Sequence, residues 1–139
     1  MLISEITHPE ILKALASAGH GSNIVIADGN FPADIGVPPN TTKVFLNFGP
    51  DVLKVTEVLN SIVKMVNIEA AAAPVRDDFA DGPVIPEYRA LLPKGIEIKK
   101  LKRWDFRAAC MAPETALLIQ TGDLRLYCCI ILTIGVRTE

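Results

Sequence analysis

The sequence predicts an α/β domain in three layers, a mostly parallel sheet of about six strands flanked by helices. Three observations point there. Short apolar runs rich in β-branched residues alternate with segments of helical period, the pattern that builds layered parallel sheets. The 139 residues match the size of one domain with its own core, so a single domain over 1–139 is expected. Half of the residues are hydrophobic and 22% are charged, enough apolar surface to fold.

Each element has its own signal. Thr7-His8-Pro9-Glu10 has the form of a capping box, and Ile11, Leu12, Leu15 and Ala18 follow as one apolar face. Gly19 is placed to end that helix in a left-handed conformation. Residues 24–27 are too short for a helix and β-branched at three of four positions, which predicts a buried strand. Residues 33–42, with Pro38-Pro39-Asn40, read as a loop, and residues 44–48 as a second strand. Gly49-Pro50-Asp51 supplies a turn and an acidic start for a helix with Val52, Val55, Val58, Leu59, Ile62, Val63 and Val66 on one side. Residues 68–73 are expected as a strand closed by Pro74, and residues 87–92 as a short helix between two prolines. Residues 95–101 alternate as a strand does, and residues 103–111 read as a helix. Two apolar strands, 116–120 and 127–136, close the chain around the turn Thr121-Gly122-Asp123.

Composition excludes several classes of function. Fourteen basic against sixteen acidic residues leave a formal charge of −2, with no long Lys/Arg run, so nucleic acid is not an expected partner. Glu5, His8, Glu10 and Lys13 interrupt any leader-like apolar stretch, and the longest apolar run is too short to span a bilayer. A cytoplasmic protein without a membrane partner is expected. Cys110, Cys128 and Cys129 are odd in number and lack the two-residue gap of metal-binding pairs, so neither a disulfide framework nor a zinc site is expected. Gly19-His20-Gly21 lacks the third glycine of a dinucleotide loop, and no phosphate-binding Gly-Lys-Ser/Thr occurs.

The stretch from Gly19 to Pro32 carries the chemistry. It places an imidazole, His20, and a carboxylate, Asp28, at the two ends of one apolar strand. Open α/β sheets bind ligands outside the carboxyl ends of their strands, where Asp28-Gly29 falls. Taken alone, these residues have plainer readings: His20 as a helix cap, Asp28-Gly29 as a turn, Arg103 as a solvated face and Tyr127 as a core residue.

The helix with His-Pro-Glu-Ile-Leu-Lys-Ala-Leu-Ala, then Gly19-His20-Gly21, Asp28 and Phe31-Pro32, resembles the D-ribose pyranase and L-fucose mutarotase family, its fucose branch in particular. Arg103 followed by an aromatic, Thr121-Gly122-Asp123, Tyr127 and the Ile131-to-Val136 block are similar to that family's closing segment. The resemblance implies a sugar mutarotase-like domain that interconverts anomers or ring forms of a free monosaccharide such as L-fucose or D-ribose. It implies no cofactor and no metal, and ring-shaped homo-oligomers, often decamers. It assigns His20 as the catalytic residue and Asp28, Arg103, Tyr127 and Cys129 to sugar contact. Cys129 stands where the family carries Asn, and Asn30 where fucose-branch members often carry His. A thiol does not replace an amide toward a sugar hydroxyl, so a non-catalytic sugar-binding or regulatory protein is the alternative. At about 3.3 Å per residue, His20 and Asp28 lie roughly 20 Å or more apart along an extended strand. They therefore meet in one pocket only if the preceding loop folds back or a neighbouring subunit supplies one of them.

Overall fold

The computed structural model describes residues 1–139. The elements run α1 (Pro9–Ser17), β1 (Asn23–Ala27), β2 (Thr42–Phe45), α2 (Val55–Ile62), β3 (Ile68–Val75), α3 (Ile85–Leu91), β4 (Ile98–Lys102), α4 (Arg103–Cys110), β5 (Thr115–Gln120) and β6 (Ile130–Ile134). That is the order of helices and strands read from the sequence. The strands form one sheet in the order β2-β5-β1-β6-β3-β4. Pairs β1·β5, β2·β5 and β3·β4 are parallel, and β6 alone runs against its neighbours β1 and β3. The carboxyl ends of β1 to β5 and the amino end of β6 therefore share one edge of the sheet.

The alternation of β1 decides the layering. Ile24 and Ile26 face a core shared with Leu15 of α1, Val58, Leu59 and Ile62 of α2, and Tyr88 of α3. Val25 and Ala27 face a second core with Phe31, Val37, and Phe106 and Cys110 of α4. Both faces of β1 are thus covered, as its continuous apolar run requires. A fully buried side chain such as Ile24 or Ile26 contributes about 2 kcal/mol over an exposed one. The sheet ends at β4, whose Lys99, Lys100 and Lys102 keep that edge charged and discourage strand addition.

Several boundaries differ from expectation. α1 starts at Pro9 with His8 as N-cap, and the Thr7–Glu10 capping box does not form. Proline holds the residue before it extended and is preformed for the first helical position, so it outcompetes the threonine. The helix ends on an extended Ala18, and Gly21, not Gly19, is left-handed at φ 84°. Asp51 does not open α2; it is left-handed at φ 57° in a turn whose N–H donates to the Gly122 carbonyl at 2.7 Å. α2 begins four residues later, where the Glu57 carboxylate accepts from the Lys54 N–H at 2.6 Å. Val52 is exposed, and Val63 and Val66 lie beyond the helix end. A side chain at Gly122 would place its Cβ 2.2 Å from the Gly49 carbonyl oxygen, so glycine lets the two turns touch. β3 continues through Pro74 to Val75; its pairing with β6 has already ended at Ala72, leaving the ladder open where proline is tolerated. β6 is shorter than expected, which leaves residues 127–129 in the loop before it.

Candidate functional site

The carboxyl edge of the sheet holds a cavity of about 300 Å³, and four of the expected residues line it: Asp28, Arg103, Tyr127 and Cys129. They arrive from three strand ends. Asp28 follows β1, Arg103 opens α4 directly after β4, and Tyr127 and Cys129 lead into β6. Gln120, at the end of β5, donates to the Phe31 carbonyl at 2.8 Å and pins the loop beyond Asp28.

Asp28 is buried and its carboxylate is only partly matched. Its Oδ1 accepts from the Asn30 N–H at 2.9 Å and its Oδ2 from the Cys129 thiol at 3.4 Å. Burial pushes the Asp28 pKa above the ordinary value of 3.8, against the stabilising donations from Cys129 and Asn30. Cys129 is held far above the usual thiol range by burial, and the Asp28 charge adds to this, so it stays a protonated donor. Cys128 faces the opposite core and is pushed up to about 12 by burial, which makes it a structural thiol.

Tyr127 is left-handed at φ 57°, a conformation that costs a non-glycine residue about 1–3 kcal/mol and persists only where the surroundings impose it. The surroundings here are built on Asp123, which is fully buried. Asp123 accepts from Arg125 Nε at 3.0 Å and Nη2 at 2.8 Å, from the Val55 N–H at 3.0 Å and from the Cys128 thiol at 3.2 Å. Burial works against its charge, but these donors together hold its pKa well below the carboxylate range. Arg125 reaches on to Glu87 at 3.0 Å, so the loop carrying Tyr127 is bolted to α2 and α3.

The sequence reading missed the wall of this cavity. Phe31, Trp104 and Arg107 line it, and the Arg107 guanidinium lies 5.2 Å from the Phe31 ring centroid and 6.0 Å from that of Trp104. The spacing of Arg103 and Arg107 on one helix face was the available signal.

His20 is elsewhere. It precedes β1, and the neighbouring Gly21 N–H donates to the Ile134 carbonyl at 2.9 Å, at the far end of β6. The imidazole lines a separate cleft with residues 63–67 and 134–137 and is exposed. Its partner there is Glu69, 2.9 Å from Nε2. Within one chain, His20 and Asp28 occupy opposite edges of the sheet. No group of three or more His, Cys, Asp or Glu side chains is arranged to hold a metal ion.

The pocket, lined by a carboxyl, guanidinium, phenol and indole, lies at the carboxyl edge of a mostly parallel sheet, where α/β proteins of this class place their small-molecule sites. Residues 1–137 match the RbsD / FucU transport protein family, and the chain belongs to that family. Its relatives include the D-ribose pyranase of Paracidovorax citrulli, 25% identical over 94% of this chain and 95% of that protein. The fucose mutarotase of Mus musculus is 30% identical over 96% of this chain and 92% of its own. Among solved structures, the fucose mutarotase of Streptococcus pneumoniae in complex with L-fucose superposes with a TM-score of 0.79 at 26% identity, covering 94% of each chain. Bacillus subtilis RbsD complexed with D-ribose shares the fold, with a TM-score of 0.84 over 99% of this chain and all of that one at 24% identity.

Proposed function

We propose that the protein is a monosaccharide mutarotase of the L-fucose or D-ribose type. The observation that carries this is the convergence of Asp28, Arg103, Tyr127 and Cys129 from separate strand ends on one cavity. Its volume is at the lower limit of small-ligand sites, suited to a single sugar ring. Asp28 accepts sugar hydroxyls, Arg103 donates to ring or hydroxyl oxygens, and the aromatic faces of Phe31 and Trp104 cover apolar ring faces.

Mutarotation needs one proton removed from the anomeric hydroxyl and one delivered to the ring oxygen; the ring opens to the aldehyde and recloses on its other face. A histidine can do either near neutral pH, and a positioned acid–base group contributes roughly 100-fold to 10,000-fold in rate. His20 is that group in our reading, supplied to the Asp28 cavity of a neighbouring copy in a homo-oligomer. The geometry motivates this, since one chain keeps the two residues at opposite edges of the sheet.

The test is saturation transfer between anomers of free L-fucose, D-ribose and other monosaccharides, followed by proton NMR. Faster exchange that disappears in His20→Ala is expected. If no sugar at millimolar concentration exchanges faster or shifts the protein's resonances, the reading is wrong for those sugars. The second reading, a non-catalytic sugar-binding protein, is favoured by Cys129, whose thiol already occupies one Asp28 oxygen. Ligand-induced shifts without faster exchange would establish it.

A further inference from the structure

We infer that Glu69 is a positioning residue for His20, setting which imidazole nitrogen carries the proton and holding the ring in place. The inference rests on the reading of His20 as the proton carrier. Three features of the backbone and side chains support it.

The first is the contact. His20 Nε2 lies 2.9 Å from Glu69 Oε2 and 3.1 Å from Oε1, so both carboxylate oxygens face one ring nitrogen. A carboxylate only accepts, so Nε2 carries a hydrogen and donates it, and in the neutral ring Nδ1 keeps the free lone pair. The second is local sheet geometry. The register of β3 against β6 shifts between Ile68 and Ala70, which places Glu69 at a bulge; bulges re-aim side chains that a regular ladder would send elsewhere. The third is the clearance. Gly135, after β6, donates its N–H to the Asn67 carbonyl at 2.8 Å. A Cβ there would lie 3.2 Å from the Glu69 Cβ, a tight approach, and 3.6 Å from its Oε2, so a larger residue would press on the base of the Glu69 side chain. A bulge that turns Glu69, a glycine that leaves it room and a histidine at the end of its reach together make a built pair, unlike an incidental surface contact. A catalytic histidine in the wrong tautomer loses much of its activity even when its position is kept.

The experiment compares Glu69→Ala, Glu69→Gln and Gly135→Ala with His20→Ala and the parent protein. The readouts are kcat and KM for anomer exchange, thermal melting as a fold control, and the tautomer of His20 from ¹⁵N shifts of the imidazole. The chain has only two histidines, so a His8 variant assigns the signals. Glu69→Ala is expected to lower kcat by about 10-fold or more with KM changed by less than about 2-fold, as loss of an orienting partner does. It should also erase the bias toward Nε2–H. Glu69→Gln, which keeps an acceptor oxygen, should recover the bias and part of the rate. Gly135→Ala should lower kcat without touching the imidazole. Parental kcat and an unchanged tautomer in Glu69→Ala, with His20→Ala inactive, would overturn the inference and leave the mutarotase reading standing. A raised KM at parental kcat would also overturn it, by making Glu69 a sugar contact. Full activity in His20→Ala would sink the reading of His20 as the proton carrier on which the inference rests. No faster exchange in the parent protein would sink the mutarotase reading itself, so the failures are told apart.

Discussion

The two edges of the sheet are built on different plans. At the carboxyl edge, Asp28, Tyr127 and Cys129 are held by buried bonds of Asp28 and Asp123, which reach α2 directly and α3 through the exposed Arg125–Glu87 pair. At the other edge, His20 stands exposed in a Gly19–Ser22 turn, with Glu69 as its side-chain partner. One edge carries the cavity, and the other carries the imidazole to which the proposed reading gives the proton transfer. Under the proposed reading, folding alone prepares recognition, and a second copy of the chain brings the edges together for chemistry.

The largest expected effect tests that division directly. His20→Ala should lose roughly 100-fold to 10,000-fold in anomer exchange, the scale of a positioned acid–base group, and Asp28→Ala about 10-fold or more through lost sugar binding. Mixed, dissociated and reassembled, they should recover up to about a quarter of the parental activity, because random pairing of copies in a symmetric assembly restores some intact sites. If one chain supplied both residues, every mixed site would remain defective and no activity would return. That result would remove the comparison between edges as an account of catalysis.

The next effect is on stability and belongs to the carboxyl edge alone. Asp123→Asn breaks charged bonds to Arg125 and weakens the acceptor at the start of α2, at a cost of about 3 kcal/mol. For a chain of this size that is a fall in Tm of about 10 °C by circular dichroism. The same carboxylate gives stability a pH dependence. Its folded pKa lies below the ordinary 3.8, so its contribution is complete above that value and is lost as pH falls toward the folded pKa. Melting curves between pH 5 and pH 2 should therefore slope down for the parent protein and flatten for Asp123→Asn. Glu69→Ala, at the exposed edge, should leave Tm within about 2 °C, the scale of an ordinary surface change.

Asp28 carries the opposite sign. Its folded pKa is raised, so ionisation costs stability as pH rises from 3.8 through the folded value. Asp28→Asn should leave Tm at neutral pH unchanged or higher by a few degrees while sugar affinity falls about 10-fold, the loss of one charged hydrogen bond. A protein that melts lower and binds sugar normally would show that Asp28 is a structural turn residue, the plainer reading of Asp28-Gly29.

How much of this was legible depended on the range of the interactions. The β-branched run before Asp28 and the apolar face of α2 declared themselves through local periodicity, and the order of elements followed. The resemblance carried the identity of Asp28, Arg103, Tyr127 and Cys129, while their convergence depended on a topology in which β1 and β4 end, and β6 begins, at one edge. Asp51 and Tyr127 were misplaced because their left-handed backbones are imposed by partners far along the chain: Asp51 N–H meets Gly122, and Tyr127 follows a loop anchored on Asp123. Glu69 gave no local signal at all, since its partner is 49 positions away and its direction depends on a bulge.

The smallest expected effect concerns Cys129, where this chain departs from the pattern it resembles. The thiol donates weakly to Asp28 Oδ2 at 3.4 Å and also receives the Asp28 N–H at 3.4 Å. Asparagine at this position would offer an amide N–H to the carboxylate or to a sugar hydroxyl, a gain of about 1 kcal/mol for one good bond. It must also fit beside Val25, Phe31 and Cys110 in a closed core, and enlarging a packed site costs about 1–3 kcal/mol. The packing cost is paid by the free protein and the bound one alike, so it lowers Tm without cancelling the gain in affinity. Cys129→Asn should therefore melt a few degrees lower while binding its preferred sugar several-fold more tightly, measured by titration calorimetry and anomer exchange on the same samples. Lower Tm with unchanged affinity and rate across the sugar panel would mean that position 129 packs behind Asp28 and does not face the sugar, leaving Asp28, Arg103 and Tyr127 to determine which ring is bound.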